Sequence, residues 1–454
     1  MIKDLKGISL FFVALVSRFP FLWAGYGREF DAWSNALNAR IISETGVYEV
    51  SRLPGHPLQE MLLSFLWPLN HSYFLYNFLS ALFSAIAVLA FYNIARKHKI
   101  AAGWYWALAF NFIPVFFIVG TSTMDYNFAL AFILLAYWAL LNKQYIWLGI
   151  ALGLATGFRI SSLGFLLPFS LLVGWNWQAQ LKMGLAALLV SVLCFYIPFE
   201  TYGFDFLDFH KPPFPGWPSV LYKLSIGIWG LPFLIFLAFS IFKLKRSSPT
   251  GKRQKSTKGL SRTAFLLTTI LLQLFVFIRL PFKAEFFIPA LPFILLFLAE
   301  RTAFKFGKMA AIASIASLLL FGFDYKSPWR GARAPTLHFE FKAGAKSIYC
   351  APFQGPLFID QAKRKVRSQT VLDCIEVLEE SPKALVVAGW YWPELIFKYP
   401  SHPHQIVHYS SQTEIDSALG AGMRILYLPE IGLQNAIMEG HDRLVQKGEA
   451  ILEP

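Results

Sequence analysis

Four ionisable residues that could act on a substrate lie between positions 26 and 71: Glu29, Asp31, Arg52 and His56. A carboxylate can accept a proton from a hydroxyl group. An arginine can bind two phosphate oxygens at once through its planar guanidinium group. Asp31 and Arg52 therefore predict chemistry on a substrate that carries a phosphate ester, and Glu29 is a second candidate for the base.

Each of these residues also has a structural explanation. Asp31 lies where a helix is expected to begin, and a carboxylate there stabilises the first turn by about 1 kcal/mol. Arg52 can pair with Glu49 or with a lipid phosphate. His56 is expected to be a hydrogen-bonded orienting residue rather than a metal ligand. Arg52 and His56 lie in the segment SRLPGHPLQE, whose two prolines and glycine predict a stiff, extended chain.

Further ionisable residues occur at the ends of apolar runs. Asp125 precedes the run YNFALAF, where it could also cap a helix, and Arg159 interrupts the apolar stretch 145–174. An arginine in the bilayer costs about 2.5–3.5 kcal/mol, so Arg159 is expected to face a cavity or a partner. A third cluster consists of Arg279, Lys283 and Glu285. Its two cations could instead extend to lipid headgroups.

The composition is that of a membrane protein. The 454 residues are 56% hydrophobic and 15% charged, whereas soluble domains are about 45–50% apolar and about 25% charged. These values exclude disordered, disulfide-stapled and collagen-like chains. Residues 1–323 carry 27 basic and 12 acidic side chains, and residues 324–454 carry 14 and 15. The basic excess lies in the apolar part and indicates membrane topology, so no nucleic-acid partner is expected.

A membrane span needs about 20 apolar residues, and the chain contains about eleven candidates. They are 7–25, 72–95, 100–119, 125–141, 145–158, 160–174, 183–199, 220–242, 263–279, 286–299 and 309–323.

The loop charges predict the orientation of these spans. A cytoplasmic N-terminus places most loop lysines and arginines on one side, including the flexible loop 243–262, which has eight basic residues and no acidic one. The opposite loops then hold the acidic residues Glu29, Asp31, Glu44, Glu49, Asp125, Glu200, Asp205, Asp208 and Glu285. We expect a multi-pass protein of the plasma (inner) membrane.

The first outer loop, residues 26–71, is the longest and is predicted to contain an amphipathic helix over 29–43. Its apolar face consists of Phe30, Trp33, Leu37 and Ile41, and its polar face of Asp31, Asn35 and Asn38. We expect this helix to lie at the membrane interface with the polar face toward water or a cavity.

Residues 1–323 thus form the membrane module, and residues 324–454 are predicted to form an extracytoplasmic α/β domain. Strand-like runs at 384–388, 405–409 and 424–428 alternate with a helical pattern at 411–419, which favours a parallel sheet. The sequence leaves undecided whether Cys350 and Cys374 form a disulfide.

Over about residues 1–300 the layout resembles the GT-C superfamily of membrane glycosyltransferases, which includes protein O-mannosyltransferases and lipid A aminoarabinose transferase. The matching pieces are Glu29-Phe-Asp31, Arg52-Leu-Pro-Gly-His-Pro57, Asp125, Gly153-Leu-Ala with Arg159, and Lys283-Ala-Glu285. Many members have an adjacent Asp-Glu pair and a Lys-Pro-Pro sequence where this chain has Glu-x-Asp and Arg-x-Pro-Gly-His.

The resemblance implies a GT-C-like bundle of about eleven transmembrane helices and inverting transfer of a sugar. The donor would be a polyprenyl-phosphate sugar, by superfamily default a hexose such as mannose. The acceptor would be a hydroxyl group of a glycan, lipid or protein on the extracytoplasmic face. Asp31 would be the general base, with Glu29 competing for that role. The donor-phosphate site would comprise Arg52, His56, Asp125, Arg159, Arg279, Lys283 and Glu285.

The sequence leaves two alternatives open, one about a metal ion and one about the function. A divalent metal ion between Glu29 or Asp125 and the phosphate is compatible with the sequence, although the cations make it unnecessary, and no other cofactor is expected. The alternative function is a transporter or flippase of a lipid-linked sugar, a class that often shows inverted repeats. The sequence has no evident repeat of that kind.

Overall fold

The computed structural model describes residues 4–207, 214–246, 262–324, 337–343, 346–408 and 410–428. These residues form a predominantly helical protein with two small β-sheets. Most of the predicted basic loop 243–262 and the predicted outer-side residue Asp208 lie outside the described residues.

The described α-helices follow one another in this order: α1 Leu5–Arg18, α2 Phe30–Thr45, α3 Pro57–Leu66, α4 Tyr73–Lys97, α5 Gly103–Asn111, α6 Pro114–Val119, α7 Tyr126–Leu141, α8 Tyr145–Phe158, α9 Leu166–Val173, α10 Trp177–Tyr202, α11 Trp217–Tyr222, α12 Leu231–Arg246, α13 Arg262–Arg279, α14 Leu291–Ala299, α15 Phe304–Leu319, α16 Pro356–Glu379, α17 Trp392–Lys398 and α18 Gln412–Gly420. The described strands are β1 Phe321–Asp324, β2 Phe339–Ala343, β3 Lys346–Pro352, β4 Ala384–Val387, β5 Gln405–Val407 and β6 Arg424–Tyr427. The short 3₁₀ segments are Phe19–Phe21, Ile160–Phe165, Gly203–Leu207, Ala284–Ala290 and Gly389–Tyr391, and Lys223–Gly227 is a π-helical turn.

Within the described part of the chain, three helical segments are long and apolar enough to cross a membrane: Tyr73–Lys97, Trp177–Leu207 and Arg262–Arg279. The pair Trp217–Gly227 and Leu231–Lys243, bent by 87°, would be a fourth. Helices occupy the other predicted stretches as well, but they are shorter than about eleven continuous spans would require. The 16-residue helix α7, for example, is about 24 Å long, whereas the hydrocarbon core is about 30 Å thick.

Prolines explain two of the interruptions. The predicted span 100–119 divides into α5 and α6 at Pro114, and α1 ends at Arg18, two residues before Pro20. Proline has no N–H group for the helix and disfavours the helical conformation of the residue before it. Apolar composition alone therefore overestimated the length of these helices.

Glycines allow two of the apolar helices to pack closely. Gly149, Gly153 and Gly157 follow one another at four-residue spacing along α8 and face α10. A Cβ atom at Gly149 would lie 2.7 Å from the Cβ of Ala186 and would also clash with the carbonyl oxygen of Met183. Small residues at such spacing let helix backbones approach without a side chain between them.

The C-terminal part of the chain contains both sheets. Strands β5, β4 and β6 form a parallel sheet in that spatial order, which confirms the three predicted strands and their parallel arrangement. The predicted helix at 411–419 is α18, and Ser411 caps its N-terminus. The Ser411 hydroxyl accepts a hydrogen bond from the N–H of Glu414, and the Glu414 carboxylate accepts one from the N–H of Ser411. The helix α16 packs Val371, Cys374 and Leu378 against this sheet.

The second sheet was not predicted. Strands β1, β3 and β2 are antiparallel in that order, and β1 pairs with β3 from Phe321 opposite Pro352 to Asp324 opposite Tyr349. The predicted boundary at residue 323 therefore falls inside a strand. Cys350 lies in β3 and Cys374 in α16, and all three cysteines are free thiols, so the disulfide left open by the sequence is absent.

The C-terminal part covers α2, the helix within residues 26–71. Phe397 of α17 packs edge-on against Trp33, Tyr26 and Trp67, with ring centroids 5.2–5.8 Å apart. Lys398 lies over the Trp33 ring at 5.4 Å. The predicted interfacial helix over 29–43 is thus an interior element, because protein rather than water or lipid covers it.

The α8–α10 contact predicts a stability difference between two glycine substitutions. Gly149→Ala should lower the free energy of unfolding by about 1–3 kcal/mol, because the added methyl group forces the two backbones apart. Thermal unfolding of the purified protein in detergent measures this effect. Gly184→Ala on α10 is the matched control, since its Cβ would meet nothing within 4 Å. Equal midpoints for the two variants would contradict close packing at Gly149.

Candidate functional site

A chain of ion pairs joins five of the ionisable residues that the sequence singled out. Asp31 accepts a hydrogen bond of 2.6 Å from Lys283 Nζ and pairs with Arg52. Arg52 Nη2 lies 2.7 Å from Asp125 Oδ1, and Arg159 Nη1 lies 2.5 Å from Asp125 Oδ2. The two carboxylates therefore alternate with the three cations in one cluster, which we call the ion cluster.

Five separate helix ends and loops position these side chains. Asp31 lies in the first turn of α2, and Asp125 is the residue before α7. Arg159 follows the last residue of α8 in an extended conformation, and Lys283 precedes the 3₁₀ segment Ala284–Ala290. Arg52 lies in the loop between α2 and α3. The ends of helices that are distant in sequence meet here, which places long charged side chains within reach of one another.

The structural alternatives for the two carboxylates do not account for these contacts. Neither Asp31 nor Asp125 makes a side-chain capping bond to its helix, although both lie at a helix start. Their oxygens bind Arg52, Arg159 and Lys283 instead. Arg52 likewise pairs with these carboxylates and not with Glu49.

His56 orients Arg52. Nε of Arg52 donates to His56 Nε2 at 2.9 Å, so Nε2 is unprotonated and the proton is on Nδ1. Nδ1 lies 2.9 Å from the carbonyl oxygen of Phe158 and 3.6 Å from Asp125. Burial lowers the pKa of His56 and keeps the ring neutral. The expected orienting role for His56 agrees with this geometry.

Arg159 lies at the end of α8 and not in the middle of a helix. Its guanidinium carbon lies 4.2 Å from the centre of the Tyr126 ring and 5.0 Å from that of Phe286. Stacking on these rings and pairing with Asp125 offset the cost of removing the charge from water.

The carboxylates near the start of α2 are ionised. Burial acts to raise the pKa of Asp31, but the charges of Arg52 and Lys283 outweigh it and lower that pKa. Lys283 and Arg28 lower the pKa of Glu29 in the same way, against the effect of burial. For Glu285, by contrast, burial and the neighbouring Glu29 raise the pKa.

Two predicted site residues lie beside the ion cluster and one lies away from it. Glu29 is 3.4 Å from Lys283 Nζ. Glu285 is close enough to interact with Glu29. Arg279 is exposed on a separate apolar groove at the end of α13, together with Phe275 and Ile278. Arg279 has no ion pair with the cluster among the described residues, so its place in the phosphate site stays a prediction.

The polar face of α2 also differs from the prediction. Asn35 and Asn38 are buried and do not face water. Asn35 donates to the carbonyl oxygen of Thr123 at 3.0 Å, and Asn38 donates to that of Glu49. These amides hold α2 to the neighbouring loops, so they fix the position of Asp31 on the same helix.

The sequence reasoning missed Glu60, which fixes the loop that carries Arg52. Glu60 is fully buried and accepts hydrogen bonds from Tyr48 Oη at 2.5 Å and from the N–H and hydroxyl of Ser51 at 2.9 and 2.6 Å. These bonds hold the residue before Arg52 against the start of α3. The only signal in the sequence was the glutamate at the end of SRLPGHPLQE.

A cavity of about 840 Å³ lies beside the ion cluster. Lys283, Glu29 and Glu285 line it, whereas Asp31 and Arg52 do not. Residues of α16 also line it, among them Asp360 and Arg364, which the sequence analysis did not single out. The available signal was the acid–base pair at four-residue spacing, since Asp360 Oδ2 lies 2.7 Å from Arg364 Nε.

No group of three or more His, Cys, Asp or Glu side chains that could hold a metal ion occurs among the described residues. The carboxylates of Asp31 and Asp125 are already paired with cations. These residues do not fit a protein-held metal ion, and we derive no chemical step through one.

No family model and no curated protein matches the sequence.

The ion cluster predicts a large stability loss when Asp125 is neutralised. Asp125→Asn should lower the free energy of unfolding by about 3–5 kcal/mol, because it leaves the largely buried Arg159 without its carboxylate partner and Arg52 with Asp31 alone. Thermal unfolding in detergent measures this loss. Glu44→Gln is the control, since it removes an exposed pair with Arg40 that is worth less than about 1 kcal/mol. A loss no larger than that of the control would contradict the role of Asp125.

Proposed function

We propose that this protein is an integral membrane glycosyltransferase of the GT-C type. It transfers a sugar, a hexose such as mannose by superfamily default, from a polyprenyl phosphate to an acceptor hydroxyl with inversion. The observation that carries the proposal is the position of Asp31 between Arg52 and Lys283, beside a cavity. A base flanked by cations is the arrangement that transfer away from a phosphate requires.

The membrane assignment is part of the proposal. It is supported by the apolar helices, the composition and the basic excess of residues 1–323. We place the N-terminus in the cytoplasm and the ion cluster at the extracytoplasmic headgroup level of the plasma membrane. There a lipid-linked phosphate can reach the cations while its chain stays in the bilayer.

The reaction is a single displacement. The acceptor hydroxyl oxygen forms a bond to the anomeric carbon, and the bond from that carbon to the phosphate oxygen breaks. The electron pair of the broken bond goes to the phosphate, and the hydroxyl proton goes to Asp31. Because Asp31 is ionised before the reaction, it can accept a hydrogen bond from the hydroxyl in the bound state.

The phosphate leaves with additional negative charge, and the cations of the cluster stabilise that charge. Arg52, Arg159 and Lys283 each retain some exposed side-chain surface, 22%, 15% and 20%. A guanidinium group has five N–H donors, so Arg52 and Arg159 can keep their carboxylate partners and still donate to phosphate oxygens. Preorganised donors of this kind supply much of the catalytic effect of an active site.

The proposal predicts that Asp31→Asn abolishes transfer. The rate should fall by at least about 100-fold, because the amide cannot take the hydroxyl proton. The assay incubates purified protein with radiolabelled polyprenyl-phosphate sugars and a panel of glycan, lipid and protein acceptors. Glu29→Gln should retain more activity than Asp31→Asn, since Glu29 pairs with Arg28 and lies farther from Lys283. Activity of Asp31→Asn near wild type would remove Asp31 from the mechanism.

The same preparation distinguishes transfer from transport. Reconstituted vesicles that move the labelled lipid between leaflets without forming a glycosylated product would support the transporter alternative and contradict the proposal.

The lowered pKa of Asp31 predicts a shift in the pH profile. In the wild type the acidic limb of the transfer rate should lie below the ordinary carboxyl pKa of about 3.9, because Arg52 and Lys283 hold the carboxylate ionised. Lys283→Gln removes one of these cations, so the pKa of Asp31 rises and the limb moves to higher pH. Arg279→Gln removes a cation outside the cluster and should leave the limb in place. An unshifted limb in Lys283→Gln would contradict Asp31 as the titrating base.

A further inference from the structure

The cavity beside the ion cluster is lined by more basic than acidic side chains. Six basic residues of the described chain line it: Arg28, Lys223, Lys283, Lys363, Arg364 and Arg367. Three acidic residues of the same part of the chain do so: Glu29, Glu285 and Asp360. The lining therefore carries an excess of positive charge when all these groups are ionised.

Part of the basic lining, which we call the basic wall, is built on α16 from Lys363, Arg364 and Arg367. Arg364 is fully buried, and its Nη1 donates to the carbonyl oxygen of Thr121 at 2.6 Å, which ties the helix to the segment before α7. Arg367 donates to Glu394 at 2.7 Å and to the carbonyl oxygen of Arg28 at 3.3 Å. These bonds hold the wall rigidly against the first outer loop.

Positive charges are crowded at this wall. Burial lowers the pKa of Arg364, and the charge of Arg28 adds to that effect, although Asp360 acts against it. Arg28 itself lies 4.0 Å from Asp360 and 2.8 Å from Glu29. The positive charge of Arg28 thus acts on Arg364 across this part of the lining, and an anion bound near both would be favoured.

Most of the remaining lining is apolar, with Val115, Ile118, Ile226 and Phe282 among its residues. Its volume of about 840 Å³ is within the about 300–1,000 Å³ that is usual for small-ligand sites. A ligand that fits both features has an anionic group for the basic wall and an apolar part for the remaining surface.

We propose that this cavity is the acceptor site and that the acceptor carries a phosphate or diphosphate group, which the basic wall on α16 binds. This inference rests on the proposed function. Lys283 and Glu29 belong to both the cavity lining and the surroundings of Asp31. An acceptor bound in the cavity therefore presents its hydroxyl group toward Asp31, while the donor phosphate occupies the side of Arg52 and Arg159.

Binding of two probes to the full-length protein in detergent tests the site without any transfer. The probes are inorganic pyrophosphate and farnesyl diphosphate, measured by isothermal titration calorimetry. Lys363→Gln should weaken binding by about 10-fold or more, as expected for one charge-assisted hydrogen bond. Lys363→Arg should retain most of the affinity, and Lys365→Gln is the matched control, since Lys365 is exposed on the same helix outside the cavity lining.

The binding results of the variants show whether the probes occupy the proposed acceptor site. Unchanged affinity for the probes in Lys363→Gln would overturn the acceptor site. A loss of affinity in Arg159→Gln without one in Lys363→Gln would in addition assign the probes to the donor side. Tighter Lys363-dependent binding of farnesyl diphosphate than of pyrophosphate would support a lipid-linked acceptor, and equal affinities would support a soluble phosphorylated one.

Comparison of binding with transfer shows which of the two proposals fails. Lys363-dependent binding in a protein that transfers no sugar would contradict the proposed function and leave the anion site standing. Transfer by a protein whose probe binding does not depend on Lys363 would contradict the anion site alone.

Discussion

Arg52, Arg159 and Lys283 can lie next to one another with little solvent contact only because Asp31 and Asp125 lie between them. Each buried charge loses several kcal/mol of hydration, and that loss is offset only when an opposite charge lies at hydrogen-bond distance. The first outer loop, the starts of α2 and α7 and the end of α8 are therefore held together by one set of charges. Three cations against two carboxylates leave one excess positive charge, which a phosphate can neutralise.

Lys283 belongs both to the ion cluster and to the lining of the cavity, and Glu29 lies beside it. On one side of Lys283, Arg52 and Arg159 converge on Asp125, and on the other the cavity extends toward α16. In the proposed transfer the donor and acceptor phosphates would lie on these two sides, where they repel each other less than at one site. Asp31, which pairs with both Arg52 and Lys283, would lie between the two molecules.

The sequence predicted local elements and the grouping of charged helix ends, but not the individual packing contacts between distant segments. Periodicity and capping residues were sufficient for β4, β5, β6 and α18, since these elements depend on neighbours in the chain. The convergence of Asp31, Arg52, Asp125, Arg159 and Lys283 was expected from membrane topology, which places helix ends on one face. Topology predicts the level of a residue relative to the membrane and not the direction of its side chain around the helix, so nothing in the sequence indicated that Arg279 lines a separate groove.

The cover over α2 could not be predicted because it depends on packing between the two ends of the chain. The apolar face of 29–43 was expected to lie in lipid, and Trp33 instead packs against Phe397 of α17. An aromatic residue at an interface with lipid and one at an interface with protein give the same pattern in a sequence. This packing of α17 on α2 gives the C-terminal part a structural role in the site. Since α17 packs on the helix that carries Asp31 and α16 forms the basic wall of the cavity, the C-terminal part determines the geometry of the site from both sides.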